Sequence, residues 1–209
     1  MELRLGAINL SLEKRTDQLD EFALIERCRR QDLEAFGKIV DAYQTRVHGF
    51  VRRMVGNSEE SADITQEVFI RAFQSFGRFD ARSSIKTWLF RIAYNLCVDR
   101  HRKADRTFVE VGMQTAPGSE ENIEVADTRW EPEKVVIEGE LADAIEHAIA
   151  TMSEKLRSVL LLHDRDDASY EEIAQTLNLP MGTVKSRLFL ARVHLQTCLK
   201  PYLQGESIP

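Results

Sequence analysis

The sequence predicts an all-α protein. Two small helical domains are joined by an acidic flexible linker, and the second contains a helix-turn-helix. Three observations carry this. Apolar residues recur at helical spacing in both halves, and no strand-like alternation is long enough to build a sheet. From Thr107 to Pro132 that periodicity stops, and Gly112, Pro117, Gly118, Ser119 and an acidic run from Glu120 to Glu124 take its place. Near the end, Tyr170 to Arg192 reads YEEIAQTLNLPMGTVKSRLFLAR, two helical stretches around a tight turn.

In chain order, residues 1–19 show weak periodicity and are expected to form an extension. A first domain over 20–106 opens with a helix from Asp20 to Val55, whose inward positions are Phe22, Ile25, Phe36, Ile39, Val40, Tyr43, Val47 and Val51. Gly56, Asn57 and Ser58 mark a turn. A helix from about Ser61 to Phe76, a loop from Gly77 to Ser84 and a long helix from about Ile85 to Lys103 complete this domain. The linker spans 107–134. The second domain, 135–204, starts with Leu141, Ile145, Ala148, Ile149 and Met152 at helical spacing, followed by Leu156, Val159 and Leu160.

The helix-turn-helix is the best-specified element. Ser169 can cap its first helix, and Glu172 three residues on can close a capping box. Asn178 tolerates the left-handed backbone a tight turn needs. Pro180 ends one helix and can open the next. Small Ala174 lets the two helices cross closely. Val184 and Leu188 face the core, which leaves Lys185, Arg187 and Arg192 to solvent or to DNA. Such a unit places its second helix in a major groove.

Charge is unevenly spread. The net charge of −6 argues at first against nucleic acid. Yet Arg71 to Arg106 holds nine basic and three acidic residues, and Pro180 to Lys200 holds four basic and no acidic ones. Thr107 to Lys134 reverses this, with two basic and seven acidic. An acidic protein can thus present two basic surfaces. The apolar runs are too short to span a bilayer, so no membrane insertion is expected. With no basic-then-apolar leader at the start, cytoplasmic residence is expected. Cys28, Cys97 and Cys198 are odd in number and scattered, which suits ordinary thiols rather than a disulfide framework.

Two stretches of the first domain carry candidate surfaces. In DITQEVFIRAFQSF, Ile64, Val68, Ala72 and Phe73 point inward with Phe69 and Phe76 alongside. Asp63, Gln66, Glu67, Ile70 and Gln74 form another side that suits either solvent or a protein partner. In WLFRIAYNLCVDRHRK, Leu89, Ile92, Ala93 and Leu96 form the buried stripe. Trp88, Asn95 and Arg102 share a face with Arg91, and Arg100, His101, Arg102 and Lys103 make a basic cluster. Aromatics stack on unpaired bases, amides read base edges and guanidinium groups hold phosphates. Equally, Trp88 can serve the core, and the basic cluster can complement the helix dipole.

These motifs, in this order, resemble the extracytoplasmic-function (ECF) sigma factors of the bacterial sigma-70 family. DITQEVFIRAF is similar to the family's core-polymerase-binding helix, IKTWLFRIAYNLCVDRHRK to its promoter-melting and −10-reading helix, and YEEIAQTLNLPMGTVKSRLFLAR to its −35-reading helix-turn-helix. The resemblance covers Leu19 to Lys103 and Val135 to Tyr202. It implies core-polymerase binding by Asp63, Gln66, Glu67 and Phe69. It implies single-stranded −10 binding by Phe79, Lys86, Trp88, Arg91, Asn95, Arg100, Arg102 and Lys103. It implies −35 binding by Thr183, Lys185, Ser186, Arg187, Phe189 and Arg192. Leu190 stands where relatives often carry a basic residue. The implied partners are core RNA polymerase, through its clamp and flap, promoter DNA, and an anti-sigma factor. The implied setting is the bacterial cytoplasm.

The function that follows is promoter-specific initiation of transcription, with strand opening driven by binding contacts. The alternative is a helix-turn-helix regulator acting without core polymerase, which leaves the Trp88 face and the Asp63 helix without a task. An enzyme is not expected. His48, His101, His147, His163 and His194 lack metal-ligand spacing, and Asp63, Glu67 and Asp99 have no evident partner base. No cofactor or metal is expected.

Overall fold

The structure, a computed structural model, describes residues 22–110 and 138–203, with side chains over 22–102 and 141–202. The expected extension lies outside the described residues, as does the expected linker beyond residue 110; its first four residues, 107–110, are helical instead, because α4 runs past the expected end near Lys103. All described elements are helical. The first domain holds α1 (22–29), α2 (Leu33–Val55), α3 (Ser58–Ser75), a 3-10 turn (Phe76–Arg78) and α4 (Ile85–Glu110). The second holds α5 (Glu138–Thr151), α6 (Glu154–Leu160), a π turn (Leu161–Arg165), α7 (Tyr170–Leu177) and α8 (Met181–Leu203).

Local chemistry sets the boundaries. The single helix expected from Asp20 to Val55 is two. Gln31 takes the left-handed region at φ 63°, and Asp32 then caps α2 by accepting the Ala35 N–H at 3.1 Å. The Arg27 guanidinium holds Asp32 at 2.7 Å, and with the cap it keeps the Asp32 carboxyl below the usual range. Phe22, expected inward, is 61% exposed, because the break removes it from the face that α2 buries. Gly56 ends α2 at φ 75°, donating its N–H to the Arg52 carbonyl at 2.9 Å. Asn57 then caps α3 through the Glu59 and Glu60 amides, so that helix starts three residues earlier than expected. Ser84 caps α4, accepting the Thr87 N–H at 3.1 Å.

An aromatic cluster fixes how α2, α3 and α4 meet. Phe36 lies edge-on to Phe73 and Phe76, with centroids at 5.1 and 6.1 Å. Phe76 contacts Phe79 and Trp88, and Phe79 contacts Trp88 at 5.0 Å. Each such pair adds roughly 0.5–1.5 kcal/mol beyond area burial. The deepest stripe of α4 is Leu89, Phe90, Ala93 and Cys97; Ile92 and Leu96, expected there, are half-buried.

The helix-turn-helix forms as expected. Ser169 and Glu172 close the capping box in both directions, at 3.2 and 2.9 Å. Asn178 is left-handed at φ 53°, ψ 53°. The Pro180 carbonyl receives the Thr183 and Val184 amides. Val184, Leu188 and Ala191 are buried against Ile173 and Leu177.

The two domains touch. α7 packs on α4, and α5 and α6 pack on α2, so buried apolar residues of both domains form one continuous cluster. Among the described residues, no helix is long and apolar enough to cross a membrane.

Candidate nucleic-acid and protein interfaces

The expected strand-binding residues on and before α4 fall into three environments. Phe79 is buried beneath Trp88, and its carbonyl accepts Arg29 Nη2 at 2.6 Å and Nε at 3.1 Å. Trp88 is half-buried on Phe76 and Phe79, so the core holds part of its indole. Three cations are already engaged. Lys86 Nζ donates to the Asp166 carbonyl, Arg91 Nη2 donates to the Gln175 carbonyl at 2.7 Å, and Arg100 pairs with Glu60. Asn95 and Arg102 are exposed. The side chain of Lys103 lies outside the described residues.

Asn95 does not stand alone. With Ile92 it lines a shallow concavity whose other wall is Arg71, Gln74, Ser75 and Arg78. Only Asn95 of this set was expected to meet DNA. The signal for the others was available, since 67, 71, 74 and 78 repeat at helical spacing. Arg71 pairs with Glu67 at 2.6 Å and Ser75 donates to the Arg71 carbonyl, leaving Gln74, Arg78 and Asn95 as the exposed polar groups of this concavity.

A second surface lies between α2 and α3. Leu33, Phe36, Val40, Phe69, Ile70 and Phe73 line an apolar groove of about 770 Å³, with Gln66 also on its wall. Leu33 is 72% exposed and Ile70 42%. Of the four residues expected to bind polymerase, Gln66 and Phe69 enter this groove. Asp63 and Glu67 lie outside its lining. An open apolar groove rimmed by amides suits a protein helix.

The third surface is the first half of α8. Lys185, Ser186 and Arg192 are exposed; Thr183, Arg187, Phe189 and Leu190 are half-buried. Supporting groups come from outside the helix. Lys185 Nζ lies 5.9 Å from the Tyr170 ring centroid, and Tyr170 in turn stacks with His163. Arg192 pairs with Asp164 at 3.1 Å. Tyr170 and Asp164 were not expected as partners, because their approach depends on the π turn. The Arg187 charge reaches Tyr94 on α4, where burial pushes the phenol up and Arg187 opposes that rise. Among the described residues, no group of three His, Cys, Asp or Glu is placed to hold a metal ion.

Known proteins match both halves. The model for sigma-70 region 2 matches residues 39–107, and that for sigma-70 region 4 matches 142–195. The chain is 35% identical over 177 residues to the ECF RNA polymerase sigma factor SigW of Bacillus subtilis, covering 84% of this chain and 95% of that protein. It is 34% identical to the RNA polymerase sigma-H factor of Pseudomonas aeruginosa, covering 87% and 94%. Its fold is similar to that of the sigma factor RpoE of Bartonella quintana, solved with the anti-sigma factor NepR. That likeness has a TM-score of 0.63 at 22% identity, over 80% of this chain and 98% of the other. An α2–α4 region 2, a capped helix-turn-helix in region 4 and this level of identity along nearly all of SigW have one reading: the chain belongs to the ECF sigma factors of the sigma-70 family, which direct RNA polymerase to promoter DNA.

Proposed function

We propose that this sigma factor divides its task among the three surfaces just described. The domain over 20–106 binds core polymerase and the opened −10 strand; the domain over 135–204 reads the −35 duplex. Phe69 and Gln66 meet a helix of the polymerase clamp in the apolar groove, with Asp63 and Glu67 at its margin. Asn95 and Arg78 receive an unpaired base and its phosphate, with Arg102 and Lys103 continuing the path. Trp88 serves as a stacking platform held by Phe79. Lys86, Arg91 and Arg100 join once their present partners release them. Lys185 and Ser186 approach the −35 major groove with Thr183, Arg187, Phe189 and Arg192, and the second domain also meets the polymerase flap.

The observation that carries this reading is the first half of α8. It presents exposed Lys185, Ser186 and Arg192 on a stretch with no acidic residue, at the end of a rigidly capped turn. Such a helix binds phosphates and base edges in the major groove. Sigma factors are not enzymes, so strand opening draws on contacts: each base stacked on an aromatic contributes roughly 1–3 kcal/mol. The linker that follows α4 connects the domains inside polymerase. The protein works in the bacterial cytoplasm, and an anti-sigma factor covers the same faces when transcription is off.

Runoff transcription with purified core polymerase and a promoter library tests the reading. Initiation at paired −35 and −10 elements is expected. A chain that binds core yet initiates on no promoter overturns it.

A further inference from the structure

The loop that leads into α4 is tethered by a residue of α1. This short helix is set off from α2 by the left-handed backbone of Gln31, and Ile25 and Cys28 anchor it in the core. That anchorage carries Arg29 to the loop, fifty positions away. Its Nη2 and Nε both donate to the Phe79 carbonyl, at 2.6 and 3.1 Å, and Nη1 pairs with Glu26 one turn earlier. All three guanidinium nitrogens are thereby engaged, which fixes the plane of the fork.

The carbonyl so gripped stands at a junction. The Phe79 ring is buried, 5.4 Å from Phe76 and 5.0 Å from Trp88. After Phe79 begins a largely exposed loop, 80–84. Asp80 accepts the Arg82 N–H at 3.1 Å, Ala81 takes the left-handed region at φ 57°, and Ser84 caps α4. Among the described residues, no hydrogen bond of residues 80–84 reaches beyond Trp88. A non-glycine residue at positive φ costs free energy and persists where its surroundings hold it. Here the long-range hold is the Arg29 fork at the entry to the loop.

We propose that Arg29 is a positioning residue for capture of the opened −10 strand. This rests on the assignment of Trp88 as a stacking platform. By pinning the Phe79 carbonyl, Arg29 sets the depth of the Phe79 ring beneath the indole and the direction in which the loop leaves. Platform and loop are then in place before DNA arrives, so the strand does not have to order them. Without the fork, the loop keeps its exposed polar groups but no longer holds one shape. A lysine at this position offers a single ammonium, which cannot reproduce two prongs in a fixed plane.

The test uses holoenzyme built with the full chain, wild type or carrying Arg29→Ala, Arg29→Lys or Trp88→Leu. The probe is a fork-junction template from a promoter on which the wild type initiates, with its −10 strand unpaired. An abasic site replaces each base of that strand in turn. Circular dichroism checks folding, and fluorescence anisotropy measures affinity. Wild type should favour the intact strand over one abasic at the captured position by roughly tenfold, within what a single stacked base supplies. Arg29→Ala should bring that ratio toward one while binding of −35 duplex holds, and Arg29→Lys should fall between. Should Arg29→Ala fail to fold, a wild-type ratio for Arg29→Lys overturns the proposal. A folded Arg29→Ala that keeps the ratio, while Trp88→Leu loses it, overturns the role of Arg29 and leaves the platform standing. Equal weakening on intact and abasic strands, with a salt slope shallower by about 0.7, makes Arg29 a phosphate contact and overturns its positioning role. A wild-type ratio for Trp88→Leu removes the platform, and the role of Arg29 with it.

Discussion

Arg53, near the end of α2, holds the Glu146 carboxylate of α5 through both Nε and Nη2, at 2.8 to 3.2 Å. This two-pronged geometry joins the domains and draws in Arg165, which reaches the same carboxylate at 3.1 Å. The Arg53 hydrogen bonds, helped by the charges of Arg53 and Arg165, hold the Glu146 carboxyl below its ordinary range against the opposing effect of burial. A lowered folded-state pKa gives stability that is full above the unfolded value, near 4.3. That stability is lost as pH falls through the folded value. Glu146→Gln should therefore melt below wild type at pH 7, by less than about 1 kcal/mol because the pair is part-exposed. The gap should close as acidification passes below the ordinary glutamate range. Thermal melts of both proteins across this range decide it, and a gap that persists in acid shows that the charge does not matter.

The turn before α8 makes a sharper stability claim. Asn178 sits at φ 53°, where a β-branched side chain collides with its own backbone. Asn178→Val should cost about 1–2 kcal/mol, whereas Asn178→Gly should be nearly neutral. Ser169→Ala removes one half of the capping box and should cost about 1 kcal/mol. Denaturant titrations of the three variants give the order: Val and Ala destabilised, Gly close to wild type. A reversed order for Gly and Val would show that the turn is not held left-handed.

These two features were legible in the sequence because both are local. The Ser169–Glu172 spacing and an Asn before Leu-Pro carry their geometry in a few residues. The core positions Val184 and Leu188 followed from period alone. Asp32 also carried a cap signal, but the apolar periodicity ran past it, so the break between α1 and α2 went unread. What could not be read was long-range. Nothing local tells Lys86 that its acceptor is the Asp166 carbonyl, eighty positions away, or places Arg71 and Arg78 beside Asn95. Likewise Phe79 looks like a loop aromatic until Trp88 and Phe76 close over it. The polar residue types of the binding faces were readable, while their partners depend on how the domains pack.

Burial separates the three cysteines in reactivity. Cys97 is fully buried, and burial pushes its thiol up to about 12. Cys28 is also fully buried and its thiol is raised for the same reason, whereas Cys198 is half-buried. Only a thiolate reacts readily with an alkylating agent. Iodoacetamide at pH 8 should modify Cys198 first in the native protein, with Cys28 and Cys97 following only in denaturant. Peptide mass spectrometry reads the order. Native labelling of Cys97 as fast as Cys198 would mean that α4 opens far more often than its packing allows.

The groove between α2 and α3 predicts a polymerase phenotype without a folding defect. Ile70 is 42% exposed on its wall, so Ile70→Glu adds a charge that water can solvate in the free protein. On binding, that charge is desolvated, which costs several kcal/mol if it stays unpaired. Core affinity should fall by at least about tenfold, the equivalent of 1.4 kcal/mol, with the melting curve unchanged. Phe69→Ala should weaken core binding as well, with some loss of stability since its ring is half-buried. Fluorescence anisotropy with labelled core polymerase measures both. Wild-type affinity for Ile70→Glu would move the polymerase contact off this groove.

Lys185 and Asn95 should fail at different stages of initiation. Lys185 is exposed on α8 and meets paired DNA in our proposal, so Lys185→Ala should weaken closed-complex formation. If it contacts a phosphate, the salt slope should fall by about 0.9 with sequence preference intact. If it reads a base, one promoter position should relax by roughly 1–3 kcal/mol. Arg187→Glu should weaken the same step more severely, because it reverses a charge in the same stretch. Asn95 lines the concavity with Arg78 and, in the same proposal, meets DNA only after the strands part. Asn95→Ala should therefore leave closed complexes near wild type while reducing permanganate-reactive thymines in the −10 region. Equal loss of closed complexes by Asn95→Ala and Lys185→Ala would place both residues on duplex DNA and remove the strand-opening role from the α4 face.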